Sequence, residues 1–307
     1  LYKYIRKKHI KINGKRTTAG DTRLCTGDRI DLYISDEFLK EPDSKVEKLE
    51  RNIPPILPEE IAYEDDNILV IDKKQGETVH SALPDEESEK LGEVYLIDRI
   101  CAYLYQKGDY NPKMENSFAP ALCNRLDRNT GGLILAAKNA PSLRILNQKM
   151  KDREIKKTYL CAVSGVPEES EATLKGYLYK DRDQNKVFVF STKQEAKKFL
   201  HIKYENDIKT IVTKYKTLST SDTASLLEVE LITGRTHQIR AHLAYIGHPI
   251  LDDAKYGISH KKKNYQALCS YRLTFDFITD SEGLEYLKGK TITSNGAQLI
   301  KDRLKQG

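Results

Sequence analysis

Asn124-Arg125-Leu126-Asp127-Arg128-Asn129-Thr130-Gly131-Gly132 sets one carboxylate between two arginines in a polar turn, and the apolar run Leu133-Ile134-Leu135-Ala136-Ala137 follows at once. A carboxylate held among cations stays ionised at neutral pH and can act as a nucleophile or a base. A second element is Lys156-Lys157-Thr158-Tyr159-Leu160-Cys161-Ala162-Val163-Ser164-Gly165, in which Tyr159, Cys161 and Val163 share one face of an extended strand. A tyrosine so placed is usually a packing residue. Its functional alternative is a ring that stacks on a base, with a phenolic oxygen for proton transfer. A third element is Thr233-Gly234-Arg235-Thr236-His237-Gln238-Ile239-Arg240-Ala241-His242-Leu243. Arg235 there precedes a helix, in a loop from which it can reach a neighbouring carboxylate. His237 and Arg240 lie near the helix N-terminus, where phosphate is favoured. Taken alone, His237 and His242 read as ordinary surface or core histidines. With no third ligand at ligand spacing, no metal site is expected.

The elements that must position these residues follow from pattern and punctuation. Thr236 suits an N-cap for a helix over 237–246, with Gly247 as its stop and Pro249 beyond. Ile239, Leu243 and Ile246 give that helix a core face. Further helices are expected near 94–106 and 140–151. Strands are expected at Ile68–Asp72 and at 133–138, 158–164, 174–179, 187–191, 209–217, 225–232 and 268–277. That mixture lacks a regular βαβ alternation, so the fold class is α+β with a mixed, largely antiparallel sheet and flanking helices.

Ahead of this body, Ile10-Lys11-Ile12-Asn13-Gly14-Lys15-Arg16 reads as a hairpin closed by Asn-Gly. A second short strand is expected at 29–34. Lys7, Lys8, Lys11, Lys15 and Arg16 make this stretch basic and are candidate contacts to a phosphate backbone, though a solvated basic face is the plainer reading. Residues 37–58 are charged, carry four prolines and read as a linker. The domains are therefore 1–36, a linker at 37–58, and 59–307.

Composition narrows the partners. The chain has 307 residues, of which 31% are charged, and a net charge of +6 permits a polyanionic partner. No apolar run approaches the roughly 20 residues a membrane helix needs, and no signal-peptide pattern is visible. Five scattered cysteines without a C-x-x-C pair argue against a disulfide framework or a zinc site and for a reducing cytoplasm.

The three elements together resemble the signature motifs of the RluA-type pseudouridine synthases, in matching order. Asn124 to Gly132 is similar to H-R-L-D-x-x-T-S-G, Lys157 to Tyr159 to K-x-Y, and Thr233 to Gly257 to T-G-R-T-H-Q-I-R-x-H-L with its I-G-H-P-I and D-x-x-Y-G continuation. Ala62 to Gly76 resembles the family's opening strand. Residues 1 to about 36 resemble the later part of an S4 RNA-binding domain that is incomplete at its N-terminus. Asn124, Gly131, Lys74 and Cys269 depart from the family's usual histidine, serine, proline and histidine.

The resemblance implies a pseudouridine synthase fold with a small S4-like module. It also implies an isomerase that converts uridine to pseudouridine in structured RNA, with large-subunit rRNA as the expected target. No cofactor is needed, because no electrons or phosphates are exchanged, and a cytoplasmic monomer is expected. Asp127 would attack the sugar or take a proton from it, Arg235 would be its ionic partner, and Tyr159 would stack on the uracil and receive the C5 proton. Arg125 would fill the space vacated by a flipped nucleotide, and Arg128, Lys157, His237 and Arg240 would contact RNA. Two alternatives stay open: a catalytically silent RNA-binding or ribosome-assembly protein on the same fold, and an N-glycosidase that releases the base.

Overall fold

The computed structural model describes residues 5, 8–19, 22–33, 46–47, 49–50, 52–81, 93–115, 118–200, 207–257 and 265–306. Two compact units divide the chain, residues 1–51 and 52–307.

In the first unit, β1 (Ile10–Ile12), β2 (Lys15–Arg16) and β3 (Ile30–Leu32) form an antiparallel sheet in the order β2-β1-β3. Asn13 and Gly14 take φ of 49° and 78°, the successive left-handed conformations that a type I′ turn requires. Lys8, Lys15 and Arg16 are exposed, while Lys11 donates to the Tyr33 hydroxyl at 3.0 Å. Lys7 lies outside the described residues, as does half of 37–58. Within that expected linker, however, Val46 and Leu49 are buried and helical, and the division between units falls after Arg51. Two apolar residues three apart suffice to bury one turn of helix, and in a charged, proline-rich stretch they are easily overlooked.

In the second unit the strands are β4 (Ile61–Glu64), β5 (Ile68–Lys73), β6 (Ala121–Leu122), β7 (Gly131–Ala137), β8 (Ile155–Ser164), β9 (Glu171–Asp181), β10 (Lys186–Phe190), β11 (Lys209–Thr220), β12 (Ala224–Leu231), β13 (Leu268–Phe275) and β14 (Thr291–Thr293). They join one mixed sheet in the order β10-β9-β11-β12-β8-β13-β7-β5-β4, with β14 beside β13 and β6 beside β7. Among the described residues only β7 and β13 run parallel; the other neighbours are antiparallel. The helices are α1 (Leu96–Lys107), α2 (Ala140–Lys151), α3 (Lys193–Phe199), α4 (Gln238–Tyr245) and α5 (Ala297–Gln306). None of the described helices is long and apolar enough to cross a membrane.

Strand β7 is buried along all seven residues, as its unbroken apolar run requires. Leu133, Leu135 and Ala137 join Ile68 and Val70 of β5, Ile145 and Leu146 of α2, and Leu273 and Phe275 of β13 in the main core. Helix α2 starts where Asn139 accepts from the Ser142 amide at 2.9 Å, a side-chain cap with Pro141 just inside. A separate core of Leu178, Val187 and Ile211 receives Ala241 of α4. That packing places the start of α4 close to the loop between β6 and β7.

Helix α4 begins one residue later than Thr236 would set it. His237 is the flanking residue, at φ 53°, and no side chain caps the helix conventionally. The buried Gln238 substitutes. Its Oε1 accepts from the Arg235 amide at 3.1 Å and the Thr233 hydroxyl at 2.9 Å, and its Nε2 donates to the Val212 carbonyl and Thr213 hydroxyl. The other face of the same anchorage is His242, whose Nδ1 lies 3.0 Å from Thr213 Oγ1.

Burial pushes the His242 imidazole down to about 4, so it is neutral in the fold at pH 7. A group whose folded value lies below its unfolded value of about 6.5 contributes stability above that pH and loses it as pH falls toward 4. Urea unfolding of the full chain should show a stability decline over that window of which His242 accounts for on the order of 3 kcal/mol at most. His242→Gln should flatten it measurably; an unchanged slope would count against a buried neutral imidazole.

Candidate active site

The loop from β6 to β7 carries Asp127, and its conformation is held from several directions. Thr130 N–H closes a turn on the Asp127 carbonyl at 3.0 Å. The Arg128 carbonyl receives the Gly76 amide at 2.9 Å and the Lys73 ammonium at 3.0 Å. Gln75 Nε2 donates to the Asn129 carbonyl, and Gln266 Nε2 donates to the Thr130 hydroxyl at 2.8 Å. Lys73 is 2% exposed, and its other two protons go to the carbonyls of Lys74 and Glu77, both at 2.9 Å. All three N–H donors are thus used. Burial pulls this ammonium down to about 8, with Glu77 and Asp127 acting the other way.

Below the turn, Asn124 is a structural clamp. Its Oδ1 accepts from Leu135 N–H at 2.8 Å and its Nδ2 donates to the Leu133 carbonyl at 3.2 Å. Gly132 has φ 102°, and a Cβ there would stand 2.3 Å from the Ser270 carbonyl, so no side chain fits.

Asp127 faces a cavity of about 390 Å³ whose walls include Arg125, Lys157, Tyr159, Arg235, His237 and Arg240. Arg240, from the first turn of α4, reaches Asp127 Oδ2 with Nη1 at 3.0 Å. On its other edge it grips Asp253 with two bonds, Nε to Oδ2 at 2.7 Å and Nη2 to Oδ1 at 2.9 Å. Burial opposes the Arg240 charge, but the bonds to Asp253 and the charges of Asp253 and Asp127 outweigh it and hold the guanidinium above its ordinary range. For Asp253, burial is likewise overcome by Arg240, and its carboxyl sits below the usual range. Amides of Lys255 and Tyr256 complete the Asp253 shell.

The ionic partner of Asp127 is therefore Arg240, and the expectation of Arg235 in that place is corrected. Arg235 is exposed on the cavity rim and makes no ion pair with Asp127. The reason is local: Gln238 binds the Arg235 backbone amide and ties the loop to β11, and the first helical turn carries Arg240 inward instead. Arg240 is correspondingly an aspartate partner at 7% exposure rather than an open phosphate contact.

His237 approaches Asp127 with Nε2 at 3.7 Å from Oδ2, while its Nδ1 lies 2.9 Å from the Tyr256 hydroxyl. Burial, resisted by Asp127 but reinforced by Arg240 and Lys255, pushes this imidazole down to about 4. It is a neutral neighbour of the carboxylate at pH 7, not a second cation. Tyr159 lies in mid-strand on β8, opposite Val229 of β12 and Ser270 of β13, and is 6% exposed. Burial and the Asp127 charge push its phenol well above the ordinary tyrosine range, so it is a hydroxyl and a ring surface in the resting site. Lys157 borders the cavity with its ammonium lowered by burial. Arg125 and Arg128 are exposed, and Arg128 Nε donates to the Gly76 carbonyl at 3.0 Å.

Asp253, Tyr256, Lys73, Gln75 and Gln266 belong to the site although none stood out in the sequence as functional. Lys73 had a signal, a cation ending the apolar run Ile68-Leu69-Val70-Ile71. Asp253 and Tyr256 had one too, as the fixed positions of the D-x-x-Y-G segment.

Known proteins are similar to this chain in sequence and in fold. A family profile described as RNA pseudouridylate synthase matches residues 67–245. The chain is 31% identical over 247 residues to ribosomal large subunit pseudouridine synthase D of Borreliella burgdorferi, covering 80% of this chain and 69% of that protein. It is 30% identical over 302 residues to an uncharacterized RNA pseudouridine synthase of Mycoplasma capricolum, covering 96% and 88%. The solved structure of human RNA pseudouridylate synthase domain containing 4 shares the fold with a TM-score of 0.58 at 19% identity, covering 86% of this chain and 97% of that one. With the profile spanning the Asp127 turn, Tyr159 and the start of α4, the chain belongs to the RNA pseudouridylate synthase family and is an isomerase acting on RNA.

Proposed function

We propose that the enzyme isomerises a uridine of structured large-subunit ribosomal RNA, with Asp127 as the nucleophile or base, acting as a monomer in the cytoplasm. The carrying observation is the chain Asp253–Arg240–Asp127, closed over the same cavity as Tyr159. The ribosomal target is supported by the printed name of the Borreliella burgdorferi relative. The departures at Asn124 and Gly131 leave the cavity's chemistry in place, because Asn124 spends both ends of its amide on β7.

The reaction breaks the C1′–N1 bond, turns the uracil and joins C5 to C1′, with one proton leaving C5 and one arriving at N1. Asp127 either bonds to C1′ as N1 departs, or removes a sugar proton so that the base is expelled. Arg240 holds the carboxylate in aim for both routes, and its grip on Asp253 fixes the guanidinium in turn. Tyr159 supplies a wall for the freed uracil. Because its phenol is held protonated, the C5 proton passes through the hydroxyl as a relay with water rather than to a ready phenolate. A target inside folded RNA must first be flipped out, at a cost of a few kcal/mol. The exposed Arg125 at the cavity rim is placed to occupy the gap.

Asp127→Asn should abolish pseudouridine formation on RNA from cells lacking the enzyme, while RNA affinity stays within about tenfold because phosphate contacts supply most of the binding. Substantial turnover by that variant would remove Asp127 from the chemistry. Arg240→Lys, judged intact by thermal unfolding, should lower kcat by about 100-fold with little change in KM, the pattern of lost transition-state positioning. Arg235→Ala should instead raise KM and leave kcat within about threefold; the reverse ranking would restore Arg235 as the partner.

The basic first unit is read as an RNA anchor of S4 type. Removing residues 1–51 should weaken RNA binding and flatten its salt dependence, with residues 52–307 still giving a cooperative thermal transition. Equal affinity and slope with and without those residues would refute the anchor.

A further inference from the structure

A second and larger cavity, about 920 Å³, opens beside the catalytic one and shares Arg240 as a wall. Stretches far apart in sequence build it: Arg128 and Asn129 from the turn just after Asp127, Lys186 at the start of β10, Lys255 from the loop after α4, Tyr265 before β13, and Arg303 from α5. Asp127 and Arg128 are adjacent in the chain yet border different cavities. A polymer whose one residue enters the catalytic cavity is therefore led across this turn into the second.

The charge of this groove differs from that of the surrounding structure. Arg99, Lys138, Lys149 and Arg240 all sit against carboxylates. Arg128 and Lys255 instead donate only to the carbonyls of Gly76 and Asn185. Lys186 lies 5.8 Å from the Phe188 ring centroid and 6.0 Å from that of Tyr256, and makes no ion pair among the described residues. The one acid on the wall, Asp252, is neutralised by Arg303 at 2.7 Å. Arg128, Lys186 and Lys255 thus line one groove without a direct ion pair to a carboxylate among the described residues. Crowding tells on Lys255, whose ammonium is pulled down by burial first and then by Arg240, with Lys186 adding to it and Asp127 and Asp253 opposing.

An aromatic platform completes it. Tyr265 is 46% exposed. Its phenol edge lies so close to Gly76 that a Cβ there would fall 2.5 Å from the hydroxyl, and Gly76 takes φ 90°. The hydroxyl edge of the ring thus abuts the Gly76 backbone, and about half of the residue stays open to solvent. Unpaired cations beside a half-exposed ring are what a single strand of nucleic acid needs: charge for its phosphates and a surface on which a base can stack.

We propose that this groove binds the single-stranded RNA segment adjoining the target uridine, with Arg128, Lys186 and Lys255 on its phosphates and Tyr265 against a base. The proposal rests on the reading that the Asp127 cavity takes the target nucleotide. It makes the groove a specificity element, since only RNA that is unpaired next to its target could follow the path.

The test uses the full chain, a mixed-sequence single-stranded oligoribonucleotide, the same oligonucleotide annealed to its complement, and rRNA from cells lacking the enzyme. The double variant Lys186→Ala/Lys255→Ala should lower single-strand affinity by about tenfold or more and reduce the slope of log K against log salt by about 1.4, that is about 0.7 for each lost phosphate contact. On rRNA it should raise KM and keep kcat within about threefold. Gln184→Lys, a substitution on the exposed hairpin at the groove's edge, removes no buried group and should steepen the slope by about 0.7. Unchanged slopes in both variants would overturn the proposal. So would a fall in kcat at constant KM, which would mean that Lys255 acts through the Asp127 charge, or equal weakening of duplex and single-strand binding. Slopes that shift as expected while the wild type forms no pseudouridine would refute the reaction reading and leave the groove as an RNA site. Intact turnover with unmoved slopes would do the opposite.

Discussion

A guanidinium shared between two carboxylates is the interaction on which the site depends. Arg240 binds Asp253 with two hydrogen bonds and Asp127 with one, and it is 7% exposed. Burying three charges in such a cluster is costly unless each is matched in geometry. Asp253 is matched by two N–H groups of Arg240 and by amides of the following turn, which makes it the fixed end. Asp127 has the single bond and the open cavity. The buried pair orients the guanidinium, and Asp127, the carboxylate proposed to react, is the one held less tightly.

The opposite side of Asp127 is held by a different device. Its turn is held by the backbone, through hydrogen bonds to the carbonyls of Asp127, Arg128 and Asn129. Lys73 is central because its ammonium bridges the Arg128 carbonyl to the loop that follows β5. A cation satisfied only by carbonyls stiffens a loop without contributing a carboxylate that would compete with Asp127 for Arg240. The chemistry thus sits between two rigid bodies, the carbonyl-bound turn and the helix start anchored by Gln238 on β11.

Much of this architecture was legible in sequence because it follows from local rules. The apolar run after Gly132 specified a buried strand, Asn139 with Pro141 specified the start of α2, and Asn13-Gly14 specified the hairpin turn. The α+β class followed from the absence of βαβ alternation. What failed was direction. Arg235 and Arg240 are equally basic and equally near the start of one helix, and only the fold decides which side chain enters the cavity. The N-cap expectation failed for the same reason, since Gln238 anchors the loop by tertiary bonds that leave Thr236 exposed. Short elements such as α3 and β14 carry too few residues to show a period. Tyr159 borders the cavity, and its raised phenol depends on burial that no spacing reveals.

Three of the four positions that depart from the family pattern, Asn124, Gly131 and Cys269, converge on one seam. Asn124 clasps the β7 backbone at Leu133 and Leu135. Gly131 pairs with Cys269 across the parallel β7–β13 contact, and a Cβ on it would come within 3.1 Å of Gln75 and 3.3 Å of the Lys73 carbonyl. Cys269 packs its sulfur where a Gly132 side chain would be and lies 3.4 Å from Ser294 Oγ. Each of these three residues is smaller than its usual counterpart and lies beneath the turn, whereas Lys74 is exposed and faces Glu60. Glycine at 131 lets Lys73 and Gln75 lie close against the strand, where a Cβ would make both give by a few tenths of an ångström. These three changes therefore act on how Asp127 is carried, while Asp127, Arg240 and Tyr159 themselves keep their places at the cavity.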